Sequence, residues 1–377
     1  MNEPLVTAGD IARVTRCLTE GWVSSIGPYV PEFEQSWARA CDRAHGVAVA
    51  NGTVALELAV EALGIGPGDE VIVPSFTIVS CATAVLSVGA TPVFVDADPR
   101  TWCLDLDQVV ERITPRTRAV MPVHIYGHPV DMDGLLPIAR AAGIHVIEDA
   151  AEAHGAECLV QRGTPTEHWA RCGSFGALSS FSFYANKLIT TGEGGMVLTD
   201  DDELAVRLQE LRNLGSQPAR RFIHESLGHN FRLTNPQAAL ALGQIERLTE
   251  IVAFKRRNAS LYLAGLAGLA ERGVIALPVE EPWARNVYWM FGFVLDDAVG
   301  FDAEELARRL RALGVETRPF FHGMHEQPAL LRAGVAPGER LPVTERLSRR
   351  GLYLPSGMTL SESQIERACA AVNEVLA

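Results

Sequence analysis

The strongest constraint on the fold is an alternation running through the N-terminal part of the chain. Short apolar runs take turns with segments whose apolar residues recur at helical spacing. "VALELAVEALG", "CATAVLSVGA" and "DMDGLLPIARAAG" are helix-patterned, whereas "DEVIVPSFT", "TPVFVD", "TRAVMPVHIYG" and "GIHVIEDA" read as strands. "GALSSFSFYA" and "GGMVLTD" follow as two further strands. Such alternation predicts an α/β fold on a mostly parallel sheet, with ligands beyond the carboxyl ends of the strands. Both "VIVPSFT" and "HVIEDAAEAHG" turn from apolar to polar at that end.

The pattern changes near Asn235. "NPQAALALGQIERLTEIVAFKRRNASLYLAGL" reads as one long helix with Pro236 in its first turn, and its "KRRNAS" segment as a solvated basic turn. "VYWMFGFVL" reads as a strand, "DAEELARRLRALG" as an amphipathic helix closed by Gly314, and "IERACAAVNEVLA" as a last helix. These features predict a large domain over residues 1–245 and a smaller α+β domain over 246–377.

Charge and composition remove several function classes. A net charge of −13 argues against a general nucleic-acid or membrane-surface binder, because phosphate backbones require clustered Lys and Arg. It leaves room for a small anionic substrate in a local basic pocket. "MNEPLVTAGD" carries acids and no apolar run, so it does not read as a secretory signal. No apolar stretch approaches the ~20 residues of a spanning helix. Seven cysteines without a CxxC pair read as thiols of a reducing compartment, and the expected location is the cytoplasm.

Within "FSFYANKLITTGEGGM" a single lysine, Lys187, follows an apolar strand and precedes a run too glycine-rich for a helix. A lysine withdrawn from water loses stabilisation of its ammonium form and becomes a neutral nucleophile, hence a Schiff-base candidate. Two further segments supply a site around it. In "ANGTVALEL", Asn51, Gly52 and Thr53 stand at a helix N-terminus, where an anion is favoured; an ordinary helix cap is the alternative. In "HVIEDAAEAHG", Asp149 lies just past an apolar strand, where a carboxylate can pair with a protonated pyridine nitrogen; a cap on "DAAEA" is the alternative. Glu152 and His154 share that loop. Ser182, five residues before the lysine, can add a hydroxyl to a phosphate site. "TTGEGG" lacks the order of a nucleotide-binding P-loop.

Taken with "GWVSSIGPYVPEFE", "VHIYGHPVDMD", "HNFRLTNPQAALALGQIE" and "RPFFHGMHEQP", these blocks resemble the DegT/DnrJ/EryC1/StrS nucleotide-sugar aminotransferases over nearly the whole chain. "WVSSIGPYV" and "RPFFHGMHEQP" are most similar to perosamine-synthase-type members. The resemblance implies a pyridoxal-phosphate transferase of fold type I, aspartate aminotransferase-like, acting as a homodimer with shared active sites. It implies covalent attachment of pyridoxal 5'-phosphate to Lys187, Asp149 at the pyridine nitrogen and Glu152 near the phenolic oxygen. Gly52, Thr53 and Ser182 would hold the phosphate, and Asn230 would reach the phosphate of the neighbouring subunit. Residues 1–30 would contribute to the substrate site, with Ser24 and His325 on the sugar-nucleotide side. Ile78 stands where many relatives carry an aromatic over the ring; either it covers the ring less tightly or Phe76 moves in, the lost stacking being about 0.5–1.5 kcal/mol.

The activity this implies is transfer of an amine from L-glutamate to C4 of a dTDP- or GDP-linked 4-keto-6-deoxyhexose, with pyridoxamine 5'-phosphate formed between the two halves. A 3-keto sugar aminotransferase and a non-catalytic, regulatory cofactor-binding protein are the alternatives. His124 and His128 in "HIYGH" have the spacing of a helical metal pair, but the segment ends a strand, so no metal is expected. His322 and His325 in "HGMH" read as pocket lining.

Overall fold

The computed structural model describes residues 3–216, 223, 224 and 226–377. Its strands in chain order begin with β1 (His45–Val49), β2 (Glu70–Pro74), β3 (Thr91–Val95), β4 (Thr117–Val120) and β5 (His145–Asp149). After the antiparallel hairpin of β6 (Glu157–Val160) and β7 (His168–Arg171) come β8 (Leu178–Ser182) and β9 (Gly195–Thr199). Among the described residues these form a seven-stranded sheet of order β1-β9-β8-β5-β4-β2-β3. The run from β8 to β3 is parallel, and β9 is antiparallel to both its neighbours. β2, inside the parallel run, and β9 are buried along their whole length, which fits their largely apolar character.

The helices of this part are α1 (Ala8–Thr19), α2 (Tyr29–Ala40), α3 (Gly52–Ala62), α4 (Val79–Ser87), α5 (Leu106–Arg112), α6 (Met132–Ala142) and α7 (Asp202–Arg212). Short connections return the chain from strand to helix at one edge of the sheet. β1 therefore leads directly into the N-terminus of α3, β2 into that of α4, and Asp149 and Ser182 are the last residues of β5 and β8. In register, Asp149 stands opposite Ser180, so both strands finish at the same edge.

The long helix expected from Asn235 onward is two helices, α8 (Asn235–Ile245) and α9 (Leu248–Glu271). Tertiary anchors turn the chain between them. The Gln244 amide bonds both backbone groups of Thr190, at 3.0 and 2.8 Å, and Arg247 reaches the Asp10 carboxylate at 2.7 Å. Gly243 is where α1 comes close, since an added Cβ would stand 2.4 Å from Asp10 Oδ1.

Beyond α9 follow β10 (Ile275–Ala276), β11 (Ala284–Arg285), β12 (Gly292–Leu295), α10 (Ala303–Ala312) and β13 (Arg318–Pro319). The chain ends with α11 (Pro328–Arg332), α12 (Pro342–Arg350), β14 (Gly351–Tyr353) and α13 (Glu362–Val375). A second sheet, β10-β12-β14-β13, packs with α9, α10 and α13 around its own apolar core. Segments around Trp289 and Phe320–Leu347 join the first core instead, and β11 pairs with β6 of the N-terminal part. The expected strand "VYWMFGFVL" is shorter than its pattern. Tyr288 has φ +48°, its N–H held by Asn286 Oδ1 at 2.7 Å, and pairing begins only at Gly292.

Candidate active site

The carboxyl edge of the large sheet opens into a cavity of about 490 Å³. Its walls include Gly52, Thr53, Ile78, Asp149, Glu152, Ser182 and Lys187, seven of the residues expected from the sequence.

Lys187 is seated by a loop that folds back on itself. Phe183 exchanges backbone bonds with Gly194 and Thr191, at 2.8 and 2.9 Å. The glycines allow this closure: an added Cβ on Gly194 would stand 2.1 Å from Thr191 Oγ1, and one on Gly195 would stand 2.2 Å from the Asn51 carbonyl oxygen. The lysine Nζ lies 3.9 Å from Glu152 Oε1 and 3.8 Å from the ring centre of Trp289. The indole N–H donates to the Asn186 carbonyl at 2.8 Å, which ties the ring to the lysine loop.

Burial drives the electrostatics. It pushes the Lys187 ammonium below the ordinary lysine value, opposed by the carboxylates of Glu152 and Asp149. It raises Glu152 to about 7, opposed by the Lys187 charge and by the Tyr126 N–H that Oε2 accepts at 2.7 Å. Asp149 is also raised by burial. Against that, Oδ1 accepts from the Ala151 N–H at 3.0 Å and Oδ2 from the Cys81 thiol at 3.2 Å. The cap alternative for Asp149 fails, because the Ala151 bond closes a turn and no helix follows. Asn51 is a cap, its side chain accepting from the Val54 N–H at 3.1 Å, and it also lines the cavity.

The far end suits an anion. Gly52 and Thr53 occupy the first turn of α3, whose leading N–H groups have no partner within the helix. Gly52 packs so closely that an added Cβ would stand 2.6 Å from the Cβ of Ser182. Thr53 Oγ1 lies 2.8 Å from Ser80 Oγ, so hydroxyls of Thr53, Ser80 and Ser182 border this end. A primary amine, a buried carboxylate and a helix N-terminus ringed by hydroxyls are the donor set that pyridoxal phosphate requires. Lys187 would hold the aldehyde carbon, Asp149 the ring nitrogen, and Gly52, Thr53, Ser80 and Ser182 the phosphate.

Three expected placements come out differently, and the Ile78 alternative is decided. Ile78 lines the cavity at 43% exposure, but Phe76 does not move in, being locked among Tyr126, Phe320 and Phe321. His325 is not on the cavity wall; it is buried at 3% exposure, with Nδ1 2.7 Å from Ser75 Oγ and Nε2 3.6 Å from Glu345. Phe321, four residues earlier, lines the cavity in its stead. Ser24 is exposed and away from the cavity; its carbonyl accepts from the backbone and side-chain N–H groups of Asn235 at 2.9 and 2.6 Å. The "KRRNAS" turn is not wholly solvated, since Lys255 is 2% exposed and donates to the carbonyls of Trp289, at 2.7 Å, and Ser356. Asn230 is exposed and does not line this chain's own cavity. His124 bonds Glu148 at 2.7 Å and His128 bonds the Pro129 carbonyl at 2.7 Å, so the two do not converge.

Sequence reasoning missed Ser80, Cys81, Trp289 and Tyr353. Ser80 was within reach, because it follows Ile78 on the turn after β2. Nothing in "VYWMFGFVL" separates Trp289 from the core aromatics beside it.

The sequence matches the DegT/DnrJ/EryC1/StrS aminotransferase family over residues 5–373. It is 43% identical to a GDP-perosamine synthase of Caulobacter vibrioides, over 96% of this chain and 94% of that protein. A dTDP-3-amino-3,4,6-trideoxy-alpha-D-glucose transaminase of Streptomyces venezuelae is 41% identical over 96% of this chain and 91% of that protein. Among solved structures, that of S. venezuelae DesV in complex with a ketimine intermediate superposes with a TM-score of 0.89 at 38% identity, covering 99% of each chain. With its fold, its buried lysine and carboxylates and these likenesses together, the chain belongs to the DegT/DnrJ/EryC1/StrS aminotransferase family.

Proposed function

We propose that this aminotransferase uses pyridoxal phosphate to transfer the amine of L-glutamate to C4 of GDP-4-keto-6-deoxymannose, working as a homodimer. The observation that carries the reading is Lys187, buried between Glu152 and Trp289 and lining one cavity with Asp149 and the start of α3. Likeness to GDP-perosamine synthases supports the choice of nucleotide and carbon.

When bound, pyridoxal phosphate supplies an aldehyde that captures amines and a ring that delocalises the electron pair left by a departing proton. The chain supplies the rest. Lys187, whose ammonium form burial disfavours, gives up its proton more readily than an exposed lysine, so its Nζ serves first as nucleophile and then as proton carrier at the carbon beside the amine. Asp149, held by the Ala151 N–H and the Cys81 thiol, presents a fixed carboxylate to a ring nitrogen. Glu152, raised to about 7, can exchange a proton with its neighbours near neutral pH. Trp289, Phe321 and Tyr353 close the wall from the C-terminal part and exclude water.

The direct test supplies L-glutamate with GDP-4-keto-6-deoxymannose and follows the product by mass and NMR. A 4-amino sugar nucleotide formed with 2-oxoglutarate, and lost in Lys187→Ala, supports the reading; turnover undiminished in Lys187→Ala overturns it. The S. venezuelae relative favours a second reading, amination at C3 of a dTDP-linked keto sugar. Product formed only from that substrate would select it.

A further inference from the structure

The first turn of α4 does two things at once. Ile78 and Ser80 face the cavity, whereas Cys81 is fully buried beneath it with Sγ 3.2 Å from Asp149 Oδ2. Thr77 Oγ1 stands behind the sulfur at 3.4 Å, and Asp149 Oδ1 is taken by the Ala151 N–H at 3.0 Å. Each carboxylate oxygen thus has one donor from the protein. An ionised carboxylate only accepts hydrogen bonds, so the thiol is the donor. Consistent with this, burial and the neighbouring Asp149 charge push the Cys81 thiol well above its usual value, so it keeps its proton. The N-terminus of α4 adds its positive dipole end on the same side.

We propose that Cys81 is a positioning residue for Asp149: its S–H bond orients Oδ2 and keeps the carboxylate ionised at the cavity floor. A hydrogen bond made to the charged form opposes the burial that would protonate the group. A cysteine here therefore acts through chemistry rather than through bulk alone. Its consequence for amine transfer rests on the reading above, but the bond itself can be tested without any substrate.

The test is infrared spectroscopy of the S–H stretch, a region free of other protein bands. The band lost in Cys81→Ala, relative to wild type, is expected at lower frequency than the remaining thiols, and Asp149→Asn should move it upward. A lost band at the position of unbonded thiols, or one insensitive to Asp149→Asn, overturns the proposal whatever the enzyme's substrate. Equilibrium binding of pyridoxal phosphate to the cofactor-free enzyme is then measured against pH. Losing a donor to the charged form raises the Asp149 value, so Cys81→Ala should shift the acid limb up by roughly one unit, the size of one lost bond to a charged group. Cys81→Ser should restore the limb. A wild-type limb in Cys81→Ala, or a serine variant as shifted as the alanine, counts against the thiol's role. A protein that shows the infrared shift but aminates no sugar would sink the functional reading and leave this one standing.

Discussion

At the scale of single residues, the site is governed by how far each charge is withdrawn from water and by what faces it. Lys187 and Glu152 are a buried pair in which each partner's charge favours the other's. Removing the carboxylate should therefore lower the lysine further. In Glu152→Gln freed of cofactor, the pH midpoint for acylation of Lys187, followed by the mass of its peptide, should fall by a unit or more. A midpoint that stays put or rises would contradict the pairing. Lys255 offers a second titration, away from the chemistry. Burial brings it to about 7, whereas in the unfolded chain it has an ordinary value of about 10.4. Between those values the unfolded chain binds a proton that the native protein does not, so this lysine's contribution to stability rises with pH across that window and is lost below it. Melting temperatures of wild type and Lys255→Met at pH 7 and pH 9 check the sign: the difference should move in favour of wild type at the higher pH. These two residues also mark the limit of reading by composition. The apolar strand before Lys187 announces its burial, whereas "KRRNAS" gives no such sign for Lys255, and only the packed structure shows that Lys255 is buried too.

At the scale of elements, strand ends and helix starts do the positioning. The first turn of α3 is held rigidly at the cavity, because Asn51 caps it and Gly52 lets it lie against Ser182. Gly52→Ala would drive a methyl group into the Ser182 Cβ and separate the two. Equilibrium binding of pyridoxal phosphate should weaken at least tenfold, while Asn51→Ala should cost about 1 kcal/mol of stability through the lost cap. Wild-type binding by Gly52→Ala would mean that the phosphate sits elsewhere. This part of the site was legible in the sequence for a physical reason. A strand of period two that runs into a helix of period 3.6 must place the turn between them at the sheet's carboxyl edge. Gly52 and Thr53 begin the helix after such a turn, and Asp149 and Ser182 end strands at the same edge. The break between α8 and α9 was not legible, because no proline or glycine makes it; the pull of Thr190 and Asp10 on Gln244 and Arg247 does.

At the scale of the whole molecule, the described surface carries several well-exposed apolar side chains. Leu227 is 92% exposed, Ile26 80% and Val23 62%, and Asn230 lies close in sequence to the first of them. In the proposed dimer Asn230 reaches the partner's site. Complementation tests that assignment. Lys187→Ala and Asn230→Asp are each expected to be impaired alone. Mixed dimers should regain about one working site in two, because one cavity then has both an intact lysine and an intact asparagine from across the interface. If Asn230 served its own chain, mixing would restore nothing.

Order along the chain was enough to establish the parallel sheet, the lysine loop and the cavity floor, since each depends on neighbours within a few residues and on one hydrophobic period per element. The rest required contacts between distant segments. Trp289 turns inward over Lys187 because Tyr288 adopts a left-handed backbone and Asn186, 103 positions away, accepts the indole N–H. His325 is drawn off the cavity by Ser75, 250 positions away, and Lys255 is buried by carbonyls of Trp289 and Ser356. No local pattern encodes such pairings. They arise when a buried polar group must find a partner, and only the packed chain decides which one is within reach.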